Sequence, residues 1–329
     1  MKLHLLDILR CPATGQSLKL KVTDEVQGDI ASGELVTADG IKRYPIENFI
    51  PRFVSLDNYA QGFGFQWNKF RKTQMDSYTG VPLSRDRFFE SSGWTPSVLK
   101  GKRVLDTGCG AGRFTEIALD AGAFVVALDY SSAVDACWAN HGSSPNLNVI
   151  QGDICHLPFV PESFDFVYCL GVLQHTPNVK ESFMALTKQL CPGGRLVVDA
   201  YPDLWLNILW PKYWLRPITK RVPQQFLFSI VEMMVSGLLP ISLAIGRIPK
   251  LGRRLRYAIP VCNYEGIFPL SKSQLREWAV LDTFDMLAPM YDQPQTLSTL
   301  RAWFDEAGMA ATEVFRRGSY VARGMKPRA

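Results

Sequence analysis

Between Lys102 and Tyr201 the chain repeats one pattern: a short, near-continuous apolar run, a polar turn, then a segment with helical spacing. "RVLDTG" reads as a strand and "GRFTEIALDAG" as a helix closed by Gly122. "FVVALD" is the next strand, followed by the helix "SSAVDACWANH" with Ser131 or Ser132 at its N-cap. "LNVIQGD" and "FDFVYCL" are strands, "NVKESFMALTKQLCPGG" is a helix stopped by Pro-Gly-Gly, and "RLVVDAY" is the fifth strand. Strands without a polar face, separated by helices, must lie in a parallel sheet covered on both sides. The fold class is therefore α/β. The last stretch, "QPQTLSTLRAWFDEAGM" then "ATEVFRRGSYVARGMK", adds a helix and a two-strand hairpin.

The first turn of that sheet, "VLDTGCGAGRF" (104–114), is where such folds hold a nucleotide-like group. A dinucleotide loop spaces its glycines G-x-G-x-x-G, so that the third lets helix and strand approach beneath a pyrophosphate. Here Gly108, Gly110 and Gly112 run G-x-G-x-G, and Arg113 stands where the third dinucleotide-spaced glycine would be. Asp106 lies two residues ahead of the loop, where an anion suits an ammonium group better than a pyrophosphate.

The loop resembles the first motif of class I S-adenosylmethionine-dependent methyltransferases, and the resemblance continues in order. "VVALDYS", "GDICHLPF", "FDFVYCLGVLQHTPN" and "CPGGRLVV" resemble the later motifs, covering about residues 100–200, and the terminal hairpin extends the match. The resemblance implies a Rossmann-like sheet of seven strands, the last antiparallel. It also implies S-adenosyl-L-methionine as cofactor, released as S-adenosyl-L-homocysteine, with no metal. Asp106, Gly108, Gly110 and Gly112 would form the loop, and Asp129 would accept the ribose hydroxyls beside Tyr130. Asp153 would bond the adenine amino group next to the Ile154 backbone. Leu170, ending strand four, and Gln66 complete the cofactor set. His175 is the candidate general base, its other use being to cap a helix or bond a backbone carbonyl, and Tyr59 is a second catalytic candidate. Trp67, Tyr78, Gln174, Tyr201 and Tyr291 are expected to shape the substrate pocket.

The rest of the chain divides around this core. Residues 1–55, with "LLDILRCPATGQSLKL" and "GIKRYPIENFIPRFV", resemble a zinc-ribbon-like β module that keeps only Cys11 of its expected cysteines, so no metal is expected. Residues 56–100 form a lid, rich in aromatic and amide side chains, and a connecting helix. The core spans 101–201, a helical insertion after strand five spans 202–290, and 291–329 complete the core. Seven cysteines, an odd number without a C-x-x-C pair, and no secretory signal read as a cytoplasmic chain.

The net charge of +5 is uneven: residues 202–260 carry nine Lys/Arg against Asp203 and Glu232. The same segment holds Trp205, Trp210, Trp214 and the 21-residue apolar run "FLFSIVEMMVSGLLPISLAIG". Glu232 and Pro240 argue against a bilayer span, so the run is expected to form helices over a pocket, with peripheral membrane contact as its other use. The expected acceptor is a small apolar or amphiphilic anionic metabolite of natural-product or isoprenoid type, for instance a prenyl diphosphate methylated at carbon. Alternatives are a quinone-like, sugar or lipid-linked acceptor methylated on oxygen or nitrogen. From other classes come an RNA methyltransferase and a non-catalytic cofactor-binding partner protein. Nucleic acid is not the expected partner, because the basic segment is local and greasy. A monomer or homodimer is expected.

Overall fold

The computed structural model describes residues 1–55, 57–203 and 211–328. Its first unit is a four-stranded antiparallel sheet, β1 (Leu18–Val26), β2 (Asp29–Thr37), β3 (Arg43–Glu47) and β4 (Ile50–Pro51), in sequential order. Cys11 is buried there, its Sγ 3.1 Å from the Tyr44 hydroxyl. Four helices follow: α1 (Gln61–Lys69), α2 (Asp76–Thr79), α3 (Leu83–Ser92) and α4 (Pro96–Leu99).

The alternating segment then folds as β5 (Arg103–Thr107), α5 (Arg113–Asp120), β6 (Phe124–Asp129), α6 (Ala133–His141), β7 (Leu147–Gln151), β8 (Phe164–Cys169), α7 (Val179–Lys188) and β9 (Leu190–Ala200). The insertion supplies α8 (Pro211–Thr219), α9 (Gln224–Gly246), α10 (Gly252–Leu255) and α11 (Lys272–Leu287). The chain closes with α12 (Leu297–Glu306), β10 (Ala310–Arg317) and β11 (Ser319–Met325). The large sheet has the order β10-β11-β9-β8-β5-β6-β7, and β11 alone runs antiparallel to its neighbours. The order reverses at β5, between β6 and β8, and opens the crevice where such sheets bind ligands.

Alternation along the strands feeds two cores. Leu105, Val167 and Leu196 face one, while Val104, Phe166 and Val197 face the other, because successive side chains point to opposite sides. Two local expectations change. Ser132 holds the N-cap position of α6, but the capping bond comes from Ser131, whose Oγ accepts from the Ala133 N–H at 3.2 Å. α7 ends at Lys188 and β9 starts at Leu190, so Pro-Gly-Gly lies inside a strand instead of stopping the helix. Trp205 and Trp210 lie outside the described residues.

The small sheet covers the β7 edge of the large one, which would otherwise present unpaired backbone groups. Arg52 bridges Gln151 in parallel register, and the Phe53 N–H donates to the Gln151 carbonyl at 2.8 Å. The buried Arg52 guanidinium donates to Gln151 Oε1 at 2.9 Å and to Asp135 at 2.6 Å. Replacing it by alanine strips both partners, so Arg52→Ala should lower unfolding free energy by roughly 2–3 kcal/mol in urea denaturation. An unchanged midpoint would mean that this side chain does not tie the two sheets together.

Candidate active site

The glycine loop folds back onto the sheet. The Gly108 and Cys109 N–H groups both donate to the Leu128 carbonyl, at 2.7 and 3.0 Å, and Gly112 N–H donates to Cys109 O at 2.8 Å. Gly110 N–H donates to Asp129 Oδ2 at 2.9 Å, while Asp129 Oδ1 takes the Ser131 N–H and hydroxyl at 2.8 and 2.7 Å. Burial raises the Asp129 pKa against the pull of these donors. Gly108 has φ +79°, and a Cβ there would sit 2.3 Å from Val172. Gly110 has φ +53°, and a Cβ would approach the Trp67 indole to 3.2 Å. Positive φ and crowding together exclude other residues from Gly108, while a side chain at Gly110 would be strained and would have to push the Trp67 ring aside by a few tenths of an ångström.

A cavity of about 680 Å³ opens over this loop, within the size range of small-molecule sites. One end is walled by Gly108–Ala111, Asp129, Tyr130, Ile154, Leu170, Gln66 and Trp67. Gln66 is fully buried; its Nε2 donates to Asp285 at 3.4 Å and its Oε1 has no protein partner. An orphaned acceptor at the wall calls for a donor on the ligand.

The other end is built from α3, α5, α8, α11 and residues 262–268, and it is charged as well as aromatic. Arg87 donates to Asp199 at 2.8 Å. Arg113 donates to Ser84 and Gln74, both at 2.8 Å, and burial pushes its guanidinium down to about 9. Asp282 accepts from the Tyr264 hydroxyl and from Gln74 Nε2, the latter at 3.2 Å, and burial pushes its carboxyl up to about 7. Asp285 stands one turn further along α11. Tyr264 stacks on Phe268 at 4.8 Å, and Phe268 leans on Trp278 at 5.0 Å. Lys212 and Arg216 both reach Asp292, which stays below the usual carboxylate range despite its burial.

His175 also lines the cavity, tilted against Phe63 and edge-on to Tyr201. Its Nδ1 is 2.9 Å from the Tyr291 carbonyl. A carbonyl can only accept, so Nδ1 carries the hydrogen, and Nε2 is the nitrogen left to face a proton in transfer. Tyr59 lines the cavity, stacked on Tyr130 at 4.7 Å and edge-on to Tyr291 at 5.2 Å; burial raises its hydroxyl pKa.

Several expected residues lie elsewhere. Asp106 is not at the wall: it is buried beneath the loop, accepts the Thr115 hydroxyl at 2.6 Å, and is pushed by burial up to about 7. Asp153 turns into its own loop, accepting from Cys155 N–H at 2.9 Å and meeting His156 at 3.1 Å, while neighbouring Gly152 and Ile154 line the cavity. Tyr78 is exposed and bonds Glu277; Gln174 is fully buried outside the wall; Tyr291 contributes its carbonyl and ring from behind His175 and Tyr59. Arg87, Tyr264, Asp282 and Asp285 carry no motif, and Arg113 stands out in the sequence only as the residue replacing a glycine in the loop; the three-residue spacing of the two acids on α11 puts them on a shared face.

Residues 105–198 match the family model described as a methyltransferase domain. A ubiquinone biosynthesis O-methyltransferase from Coxiella burnetii is 34% identical over 100 residues, 30% of this chain and 43% of its own. A demethylmenaquinone methyltransferase from Renibacterium salmoninarum is 37% identical over 101 residues, 31% of this chain and 42% of its own. The match thus spans about two fifths of these relatives' length. Among solved structures, magnesium protoporphyrin IX methyltransferase from Synechocystis with bound S-adenosylhomocysteine covers 82% of this chain and 97% of its own, at 16% identity and TM-score 0.43. Residues 105–198 are thus similar to a methyltransferase domain, and the cofactor this similarity implies is S-adenosylmethionine. The residues present fit it. Asp129 and Gln66 Oε1 offer acceptors to hydroxyl and ammonium donors, and the amides of Gly108, Cys109, Gly110 and Gly112 are already bonded within the protein.

Two outcomes follow. Asp129→Ala should weaken S-adenosylmethionine binding roughly 10- to 100-fold by calorimetry, the loss of a charge-assisted acceptor and its hold on the loop; unchanged affinity would remove Asp129 from the site. Asp106 binds its proton more tightly folded than unfolded, so its contribution to stability is lost as pH rises from about 4 to about 7. Asp106→Asn should reduce that slope by up to about 4 kcal/mol across the window in urea titrations. An identical slope would place the protonation elsewhere.

Proposed function

We propose that this chain is an S-adenosylmethionine-dependent methyltransferase acting on a small amphiphilic acceptor that carries a hydroxyl, of the quinone-like phenol class. The observation that carries the reading is one cavity lined by the glycine loop with Asp129, by His175, and by aromatic side chains with paired charges. The bound cofactor supplies a methyl group on a sulfonium and leaves as S-adenosylhomocysteine.

The chain's own task is to align the acceptor, exclude water and take one proton. The acceptor oxygen gains the methyl and loses its hydrogen, and His175 Nε2, with Nδ1 fixed on the Tyr291 carbonyl, is the atom that receives it. Tyr264, Phe268 and Trp278 suit a planar ring, and Asp282 and Asp285 suit its hydroxyls as acceptors. The names of the two quinone-pathway relatives support the same acceptor class. A prenyl diphosphate fits less well. Asp285 of α11 would repel it, and Arg87 and Arg216 already hold Asp199 and Asp292.

A panel of phenols, prenyl diphosphates and RNA incubated with methyl-labelled cofactor tests the reading. Label should enter a phenolic acceptor, and His175→Ala should cut turnover about 100-fold or more while keeping cofactor affinity. Asp282→Asn should mainly raise KM. Label in RNA or in a diphosphate, with none in phenols, would overturn the acceptor class.

A further inference from the structure

The apolar run of the insertion does not roof the cavity. α9 contributes none of the residues that line it, among those described. Its 23 residues divide into three faces. Leu227, Phe228, Val231 and Val235 are buried against Phe284 and Leu287 of α11, forming a third core. Gln225, Ser229, Glu232 and Ser236 follow at the same spacing and make a polar face, on which Ser236 receives Arg276 at 2.9 Å.

The third face is apolar and points outward. Phe226, Ile230, Met233, Gly237, Ile241 and Ala244 recur at helical intervals, with Phe226, Met233 and Ile241 exposed by 63, 70 and 51%. A Cβ on Gly237 would meet nothing within 4 Å. Only 28% of the most apolar 18-residue window is buried, so α9 is far from an ordinary core helix. More than half of the exposed large apolar side chains among the described residues fall between 214 and 267. A continuous outward stripe of this kind marks an interaction surface.

Charge selects the occupant. Lys220 and Arg221 stand just before α9, and Arg247 and Lys250 just after it; Arg221, Arg247 and Lys250 are exposed, and Arg247 reaches Glu265 only at 3.9 Å. The single acid of α9, Glu232, lies on the polar face. Two copies joined through this stripe, parallel or antiparallel, would set one basic end against another, and such pairing is repulsive. Phosphates of RNA would satisfy the cations but not the stripe between them. A bilayer with anionic headgroups satisfies both, because apolar side chains enter the acyl boundary while Lys and Arg reach back to the headgroups.

We propose that α9 docks this chain on an anionic phospholipid surface, the helix lying in the interface plane with Phe226, Met233 and Ile241 inserted and its basic ends on the headgroups. The helix is long enough to cross a bilayer. The burial of its inner face on α11 keeps it in the plane. The inference does not rest on methyl transfer, and none of its residues belongs to the cavity.

Full-length protein is sedimented with vesicles of phosphatidylcholine alone and of phosphatidylcholine mixed with phosphatidylglycerol. It should bind the mixed vesicles, bind neutral ones weakly, and dissociate as salt rises. The triple variant Phe226→Ser, Met233→Ser, Ile241→Ser, with its melting curve recorded to confirm folding, should bind roughly tenfold or more weakly. Lys220→Gln with Lys250→Gln should lose the preference for phosphatidylglycerol. Equal binding by the folded triple variant would overturn the proposal. So would a dimer in sedimentation velocity that only this variant abolishes, or tighter binding to RNA than to vesicles.

Discussion

The hydrogen bond from the Gly110 amide to the Asp129 carboxylate, 2.9 Å long, holds the glycine loop to the end of the neighbouring strand. With the Gly108 and Cys109 amides on Leu128 O, it turns the loop's donors inward. In a dinucleotide fold those donors face a pyrophosphate. Here the amides of Gly108, Cys109, Gly110 and Gly112 are consumed, and the cavity wall offers two acceptors, Asp129 and the orphaned Gln66 Oε1. The choice of cofactor is therefore a matter of which way a few amides point. Gly108 and Gly110 are needed because only their positive φ values let the chain turn that tightly under Val172 and Trp67.

Beyond the loop, the insertion does two separate jobs. α8 and α11 bring Lys212, Arg216, Asp282 and Asp285 to the cavity, whereas α9 uses α11 as a platform and keeps its outer face away from it. Basic residues that looked like one patch along the chain are thus split between paired groups around Asp292 and exposed groups at the ends of α9. The acceptor end is consequently more polar than the greasy sequence of the insertion suggested.

What the sequence made legible follows from short-range physics. Near-continuous apolar runs separated by helical segments located the strands of the large sheet, and the glycine spacing located the loop. Asp129, Tyr130, Ile154, Leu170, Gln66, Trp67, Tyr201, Tyr59 and His175 do line the cavity. Asp106 and Asp153 were misplaced because motif position fixes where a residue's backbone lies, not which way its carboxylate turns. Thr115 and the Cys155 amide captured them. Arg87, Tyr264 and Asp282 could not be found, since α3, the 262–268 stretch and α11 meet only in three dimensions. The outward face of α9 was legible as a stripe, but which stripe faces out depends on α11.

With its Gly108, Cys109, Gly110 and Gly112 amides bonded within the protein, the loop favours a nucleoside with an ammonium group over a pyrophosphate. Titration calorimetry of the unmodified protein with S-adenosylhomocysteine and, separately, with a nicotinamide dinucleotide tests this directly. One-to-one binding of S-adenosylhomocysteine and no heat from the dinucleotide is the predicted result. Saturable binding of the dinucleotide, with none of S-adenosylhomocysteine, would contradict it.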